Sequence, residues 1–313
     1  MTQKPPNTSF SATTPSLQFA WDSTSLGALK SCPRYYQYNI VEGWEPRSIS
    51  FHLTFGILYH KALEIYDHKT FEGMTHEEAL HFVVRFVLSS TWINNKPWFS
   101  GDNNKNRFTL LRSVVWYLEQ FQNDGLKTVK LANGKPAVEL SFRFETHFKN
   151  SSGEAFWLCG HLDRIVQSNE DLYISDRKTT SFTLGERFFS NFTPDNQMTL
   201  YALGARIAYS VPVQGIIIDG AQIGVEFSRF ERQPIARSAQ YLDEWYNELA
   251  FWFSQAESFA KRNYWPQNDK FCSMYGGCRY RKICSLSPSS RESWLKADFT
   301  QRTWDPLQTR GDI

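Results

Sequence analysis

The sequence predicts an α/β fold, in which a β-sheet is flanked by helices. Three segments show the apolar–polar alternation of half-buried strands, and they are residues 136–148, 155–167 and 172–178. Apolar residues recur at helical spacing in three others, which are residues 75–91, 105–121 and 234–261. With 313 residues, 41% of them hydrophobic, the chain is long enough for a sizeable core and is expected to form one elaborated domain.

Net charge and composition limit how the protein can bind nucleic acid and where in the cell it is expected. The net charge is +2 and the pI is near 8.2, so any nucleic-acid site must be a local patch. No apolar run reaches about 18 residues, and the N-terminus lacks the apolar region of a signal peptide. We therefore expect an intracellular, cytoplasmic protein without a membrane partner. Five cysteines, an odd number, argue against a disulfide framework.

The N-terminal part is expected to begin without structure. Residues 1–18 are rich in Thr, Ser and Pro, which predicts a disordered lead-in. A helix follows, with Ser23 or Ser25 as the predicted N-cap. Pro33 should interrupt this helix and leave Cys32 at a helix terminus.

Residues 50–71 predict a helix in which Gly56, His60 and Glu64 share one face. A glycine inside a helix costs about 1 kcal/mol relative to alanine, so we expect another element to approach Gly56 closely. The next two predicted helices, 75–91 and 105–121, carry no obvious ligand set. They are interpreted as an insertion or cap over the sheet.

The stretch from Gly160 to Lys178 predicts a hairpin with a polar turn at residues 168–171. Asp176 and Lys178 project from the same strand face, and Asp163 can lie opposite Asp176 if the strands pair. Two convergent carboxylates and a lysine suit a divalent-metal site that cleaves phosphodiesters. The alternative is that both aspartates are ordinary turn or salt-bridge residues.

Downstream of the hairpin, residues 194–209 predict a helix with Gln197 and Tyr201 on one face. Two β-rich runs follow, residues 213–218 and 222–230, and then the long helix 234–261. The last stretch, 287–313, is polar and is interpreted as a poorly packed tail.

A second constellation consists of Cys272, Cys278 and Cys284, with five residues in each interval. Two glycines between the first two cysteines allow the chain to turn around a metal centre. Cys32 is the remote candidate for a fourth ligand. Four thiolates suit either zinc or a [4Fe–4S] cluster, and free buried cysteines are the remaining alternative. Cys159 is interpreted as a small core residue.

Several motifs recur in one order along the chain. They are Gly56-x-x-x-His60, Glu139, Gly160-x-x-Asp163, Asp176-x-Lys178, Gln197-x-x-x-Tyr201 and the cysteine trio. This ordered set resembles the RecB-type branch of the PD-(D/E)XK nucleases. The resemblance is strongest to the iron–sulfur members of that branch, such as the CRISPR-associated adaptation nucleases and the AddB nuclease domain.

The resemblance implies a role for each motif residue. Mg²⁺ or Mn²⁺ would be bound by His60, Asp163, Asp176 and the carbonyl group of Arg177, with Glu139 as a weaker assignment. Lys178 would polarise the attacking water or the phosphate, and Gln197 and Tyr201 would orient the lysine or the DNA backbone. The cysteine set, Cys32 with Cys272, Cys278 and Cys284, would hold a [4Fe–4S] cluster, with structural zinc as the alternative.

The fold implied by the resemblance is a restriction-endonuclease-like core with a central mixed sheet, a helical insertion and an iron–sulfur clamp. Its predicted division is a nuclease domain at 19–286, an insertion at about 72–125, a cysteine segment at 270–286 joined to Cys32, and a tail at 287–313.

The implied activity is that of a metal-dependent DNA nuclease, an exonuclease on single-stranded or frayed ends. It would act in recombination, repair or end processing, with a helicase, integrase or recombination partner. The alternatives are a DNA-binding or assembly subunit and a nuclease active only within a complex. Basic residues Arg279, Arg281 and Lys282 interleave with Tyr280, which predicts a DNA-binding patch with base stacking.

Overall fold

The computed structural model describes residues 9–47, 50–93 and 95–308. The chain divides into two compact units with alternating segments. Unit 1 consists of Met1–Ser48, Phe142–Gly160 and Ala239–Ile313, and unit 2 consists of Ile49–Ser141 and His161–Ser238. Residues 1–8 of the predicted lead-in and 309–313 of the predicted tail lie outside the described residues. The division into nuclease domain, insertion, cysteine segment and tail stays a prediction.

Strands and helices are interspersed along the chain. The strands are β1 (Ala20–Trp21), β2 (Trp44–Pro46), β3 (Trp92–Ile93), β4 (Lys96–Pro97), β5 (Lys127–Thr128), β6 (Val138–Lys149), β7 (Ala155–Ser168), β8 (Asp171–Thr180), β9 (Gly215–Ile223), β10 (Ser228–Ala236) and β11 (Phe299–Gln301). The helices are α1 (Ser23–Ser31), α2 (Pro33–Tyr36), α3 (Phe51–Phe71), α4 (His76–Ser90), α5 (Arg107–Phe121), α6 (Glu186–Phe189), α7 (Asn196–Ala208), α8 (Ala239–Arg262), α9 (Arg281–Cys284) and α10 (Pro288–Asp298). Within the described residues, none of these helices combines the length and apolar character that a membrane span requires.

The main sheet is mixed and has the strand order β1-β7-β8-β9-β10, with β5 and β6 also paired to β7. β7 and β8 are antiparallel, β8 and β9 are parallel, and β9 and β10 are antiparallel. All nine residues of β9 are buried, as is typical of a parallel strand covered on both faces. The predicted α/β fold with a central mixed sheet flanked by helices is confirmed.

Strand boundaries beyond residue 213 differ from the prediction. β9 and β10 replace the predicted strands 213–218 and 222–230. β9 is buried on both faces, so no alternation marks its ends. Pro234, predicted to open the long helix, lies instead in β10, at the end of the sheet's strand order. An edge strand tolerates the missing N–H of proline. Because β10 continues through Pro234, α8 begins only after this strand, at Ala239.

The core of unit 2 joins α3, α4 and α5 to β9. Its fully or nearly buried apolar members are Phe55, Tyr59, Ala62, Leu63, Val83, Val87, Leu110, Val114, Tyr117, Leu118, Ala221 and Ile223. Thr75 caps α4 and Asn106 caps α5, each in a reciprocal capping box. The two helices interpreted from sequence as a cap therefore pack on α3 and on the end of β9.

Helix α1 of unit 1 is capped by Asp22, whose carboxylate accepts from the Ser25 N–H at 2.9 Å. The predicted caps, Ser23 and Ser25, are therefore wrong, although Ser25 takes part as the reciprocal partner of the capping box. Cys32 ends α1 and directly precedes α2, which starts at Pro33. The predicted break at this proline is confirmed.

Both ends of the described chain are more ordered than the sequence predicts. Leu17 and Gln18, which fall in the predicted lead-in, are fully buried. Residues 288–301, which fall in the predicted tail, form α10 and β11, and β11 pairs with β2. Leu295 and Phe299 join an apolar cluster of unit 1. The expectation of poor packing was wrong. This polar segment packs through a few apolar residues, which are too few to stand out in the sequence.

Candidate functional site

The β7–β8 hairpin of unit 2 carries Asp163 and Asp176. The two strands pair in the predicted antiparallel manner around the turn at residues 168–171. The main-chain N–H of Arg177 donates to Asp163 Oδ2 at 3.0 Å, so one strand fixes the carboxylate of the other. The two aspartates are only 4% and 1% exposed. Ordinary surface charge therefore does not describe them.

Helix α3 adds His60, whose Nδ1 lies 3.2 Å from Asp163 Oδ2. One turn earlier, a methyl group at Gly56 would lie 3.9 Å from Thr179 Oγ1 of β8. The helix thus runs beside the end of β8, as the glycine predicts, but at a distance that would also accept alanine. Glu64, on the same predicted face, forms an ion pair with a lysine of its own helix instead.

Glu139 completes a group of three candidate metal ligands. One ligand atom each from His60, Glu139 and Asp163 lies within 4.8 Å of the other two. Glu139 is the second residue of β6 and has a φ of +50°, a left-handed conformation that is uncommon for a residue with a side chain. Strain of this kind clusters at functional sites, where the surrounding structure holds it in place.

A chain of polar contacts leads away from Asp176. Lys178 Nζ lies 2.6 Å from Asp176 Oδ2 and donates to Gln197 Oε1 at 2.9 Å. The amide of Gln197 in turn donates to the Tyr201 hydroxyl at 2.8 Å. Gln197 and Tyr201 lie one turn apart on α7, as predicted, and together they hold the lysine from the helix side.

The pKa values of the two carboxylates are shifted in opposite directions. Burial raises the pKa of Asp176 to about 6, although the charge of Lys178 opposes this. Burial also acts on Asp163, but the charges of His60 and Lys178 outweigh it and lower the pKa of Asp163 below its ordinary value. The pKa of Lys178 is raised despite burial, because Asp176 and Asp163 favour its charged form. An ionised Asp163 thus lies beside a charged lysine.

The donor set fits a divalent cation. Two buried carboxylates and a nearby glutamate supply the hard oxygen atoms that Mg²⁺ and Mn²⁺ prefer, and His60 adds a nitrogen that suits Mn²⁺. Carboxylates this close repel one another, and a bound cation would offset that repulsion. Asp176 lies outside the three-residue group but close enough to Asp163 and His60 to interact with both electrostatically.

Asp67 and Arg164 contact the site residues although neither was predicted from the sequence. Arg177, proposed as a ligand through its carbonyl group, places its guanidinium 2.7 Å from Asp67 Oδ2. The other oxygen of Asp67 accepts from Arg164 Nη1 at 2.7 Å. One signal was available, because Asp67 follows His60 by about two helical turns and lies on nearly the same helix face.

The four cysteines of the predicted metal centre lie near one another in unit 1. They are Cys32, Cys272, Cys278 and Cys284. Burial raises the pKa of Cys278, and the Cys272 and Cys32 thiols raise it further. Burial also raises the pKa of Cys284, to which Cys278 and Cys32 add. These interactions place the four thiols in one region, but within the described residues no three of their sulfur atoms lie within 4.8 Å of one another.

The main chain wraps around this group. Gly276 and Gly277 have φ values of 82° and 111°, which favour glycine, and the turn lets Cys278 N donate to Cys272 O at 3.1 Å. Cys32 Sγ accepts from a main-chain N–H at 3.3 Å. Thiols are the donors that zinc and iron–sulfur clusters take, and the assignment of either group to these four cysteines stays a prediction. Cys159 stays apart in β7, buried beside Trp21 O.

The predicted DNA-binding patch is only partly available. Arg279, Arg281 and Lys282 are exposed. Tyr280 is fully buried and its hydroxyl donates to the carbonyl oxygen of Trp44. Base stacking by Tyr280 was therefore a wrong expectation, since the ring faces the unit 1 core and only the cations reach solvent.

Residues 21–285 match the family model described as the PD-(D/E)XK nuclease superfamily. The chain therefore belongs to the PD-(D/E)XK nuclease superfamily. Nucleases of this superfamily use divalent metals, and the carboxylate–histidine group described above is of the kind that such a metal needs. No match to this chain was found among the curated proteins.

Two solved structures are similar to this chain over most of its length. A protein from Eubacterium rectale named "Putative exonuclease" shares 12% sequence identity, with a TM-score of 0.48 over 92% of this chain and 95% of that one. The structure of SSO0001 shares 11% identity, with a TM-score of 0.38 over 86% of this chain and 89% of that one.

Proposed function

We propose that this chain is a metal-dependent DNA nuclease of the RecB-type iron–sulfur branch, an exonuclease that acts on single-stranded or frayed ends. The observation that carries the proposal is the convergence of His60, Glu139 and Asp163 within 4.8 Å, beside the ion pair of the buried Asp176 with Lys178. These groups come from α3 and three different strands of the sheet. Such convergence from distant parts of the chain supports a role in chemistry.

In this proposal the cation is held by His60, Asp163 and Asp176, with Glu139 and the Arg177 carbonyl group as further ligands. When bound, the cation supplies Lewis-acid stabilisation of the negative charge on the phosphodiester and increases the acidity of water. The Arg177 N–H bond holds Asp163 in place for this binding.

Lys178 supplies a fixed positive charge. Its ammonium is stabilised by Asp176 and oriented by the Gln197 carbonyl oxygen, which itself is held through Tyr201. A charge fixed in this way stabilises the developing charge of the phosphate without reorganising during the reaction. Gln197 and Tyr201 act in the proposal as orienting residues.

The proposal is tested with the isolated chain, purified anaerobically, freed of divalent metal and given single-stranded and duplex DNA labelled at the 5′ or 3′ end. We expect no cleavage until Mn²⁺ or Mg²⁺ is added, and then loss of nucleotides from an end. Absence of any metal-dependent cleavage would reject the nuclease proposal. Cleavage at internal positions from the start would reject the exonuclease action but leave the nuclease proposal standing. DNA binding without cleavage would favour a binding or assembly subunit.

The exposed cations Arg279, Arg281 and Lys282 are proposed to contact DNA phosphates. We expect the double substitution Arg281→Ala with Lys282→Ala to weaken single-stranded DNA binding for all sequences. Loss of two contacts should lower the slope of log affinity against log salt concentration by about 1.4. Fluorescence anisotropy at several salt concentrations measures both effects.

A matched control removes two exposed cations from β6 of the same unit, by Arg143→Ala with Lys149→Ala. This variant has the same net charge, so a general electrostatic effect would appear in both. Equal affinity and equal slopes for the two double variants would argue against the patch.

A further inference from the structure

A single buried carboxylate, that of Asp67, contacts both strands of the β7–β8 hairpin. Its Oδ1 accepts from Arg164 Nη1 at 2.7 Å, and its Oδ2 lies 2.7 Å from Arg177 Nη2. The side chains of Asp67 and Arg177 are 3% exposed and that of Arg164 is 9% exposed. Water therefore does little to weaken these ion pairs.

Each arginine is next in sequence to a candidate metal ligand. Arg164 follows Asp163 on β7, and Arg177 lies between Asp176 and Lys178 on β8. Side chains alternate between the faces of a strand, so the arginines leave the sheet on the face opposite their neighbours. Binding of both arginines by one group thus links the two strands at positions next to the candidate ligands.

Asp67 is also connected to the remaining ligand, His60. The two residues share α3 and are separated by about two turns, or about 10 Å along the helix axis. A rotation or shift of α3 would move His60 away from Asp163, where Nδ1 now lies 3.2 Å from Oδ2. The ion pairs of Asp67 oppose such movement.

We propose that Asp67 is a positioning residue, which locks α3 to β7 and β8 and thereby sets the spacing of His60, Asp163 and Asp176 for metal binding. The inference rests on the proposed function, since it concerns the same metal site. Asp67 itself touches neither substrate nor metal in this proposal. It acts through Arg164 and Arg177.

A neighbouring ion-pair network supplies a control. In the same unit, Arg232 pairs with Asp219 at 2.9 Å and with Asp124. Arg232 lies on β10, which carries none of the candidate ligands. Asp124→Asn therefore removes the same charge from an ion pair of the same unit that includes neither Arg164 nor Arg177.

The test measures Mn²⁺ affinity by titration with electron paramagnetic resonance, which requires no catalysis. For Asp67→Asn we expect affinity to fall about 10- to 100-fold, the range seen when groups that support a metal ligand are removed. Asp124→Asn should keep the affinity of the original chain. Circular dichroism and thermal melting report whether each variant is folded.

Retention of full Mn²⁺ affinity by folded Asp67→Asn would overturn the inference, and so would an equal loss in Asp124→Asn. If Asp67→Asn does not fold, Arg164→Lys carries the test, because it keeps the charge but shortens one arm of the network. Arg164→Lys should bind Mn²⁺ more weakly, and unchanged affinity would likewise overturn the inference.

The two proposals fail in distinguishable ways. If the original chain binds no Mn²⁺, or binds it equally well after Asp163→Asn, the metal site of the proposed function is rejected. If Mn²⁺ binding depends on Asp163 but not on Asp67, only the positioning role is rejected.

Discussion

Replacing Asp176 by asparagine is expected to lower the rate of metal-dependent DNA cleavage more than about 100-fold. Loss of a group that merely supports a metal ligand costs about 10- to 100-fold, so loss of a ligand should exceed that range. The substitution also removes the charge that holds Lys178 Nζ at 2.6 Å. Both the cation and the lysine would therefore lose one negatively charged partner.

The same substitution should leave the metal-free chain folded. Burial raises the pKa of Asp176 to about 6, which means that burial disfavours its ionised form in the fold. Asparagine has nearly the same shape and carries no charge. Lys178 keeps its hydrogen bond to Gln197 Oε1 and remains near Asp163, so it is not left without a partner.

Single-turnover cleavage of end-labelled single-stranded DNA in Mn²⁺ measures the effect. The matched control is Asp171→Asn, which removes an exposed carboxylate from the first position of the same strand. Cleavage by Asp176→Asn at the rate of the Asp171→Asn control would show that Asp176 takes no part in the reaction. Thermal melting of both variants separates a catalytic loss from unfolding.

Local periodicity explains what the sequence could predict of this fold. The alternation of β6, β7 and β8 and the stripes of α4, α5 and α8 depend on neighbours in sequence, and these elements appear close to their predicted positions. β9 has no alternation because both faces are covered, and α10 has too few apolar residues to stand out. Their boundaries depend on the folded surroundings rather than on the local pattern.

The residues of the site also fall into those that a local pattern predicts and those that only the folded structure brings together. Asp176 with Lys178, and Gln197 with Tyr201, are pairs on single elements whose spacing alone predicts a shared face. The meeting of His60 with Asp163 spans about a hundred residues, and only a family resemblance connected them. The left-handed backbone of Glu139 and the double ion pair of Asp67 belong to tertiary structure, which no short-range pattern encodes.

Replacing Cys32 by alanine is expected to lower the free energy of unfolding by up to ~5 kcal/mol. In the proposal, the cluster connects Cys32 to the cysteine segment across about 240 residues, and a cross-link over so long a loop strongly restricts the unfolded chain. A loss of this size is a large part of the ~5–15 kcal/mol that stabilises most proteins. The visible iron–sulfur absorption should disappear with it.

Anaerobic urea unfolding, together with iron and zinc analysis, measures these changes. Cys159→Ala is the matched control, because Cys159 is a buried cysteine of the same unit that lies outside the group of four. Its truncation should cost on the order of 1 kcal/mol and leave the metal content unchanged. If Cys32→Ala matched Cys159→Ala in stability and retained iron, the clamp would be rejected. One zinc ion per chain in place of iron would instead assign the four thiols to a zinc centre, which would impose the same constraint on the unfolded chain.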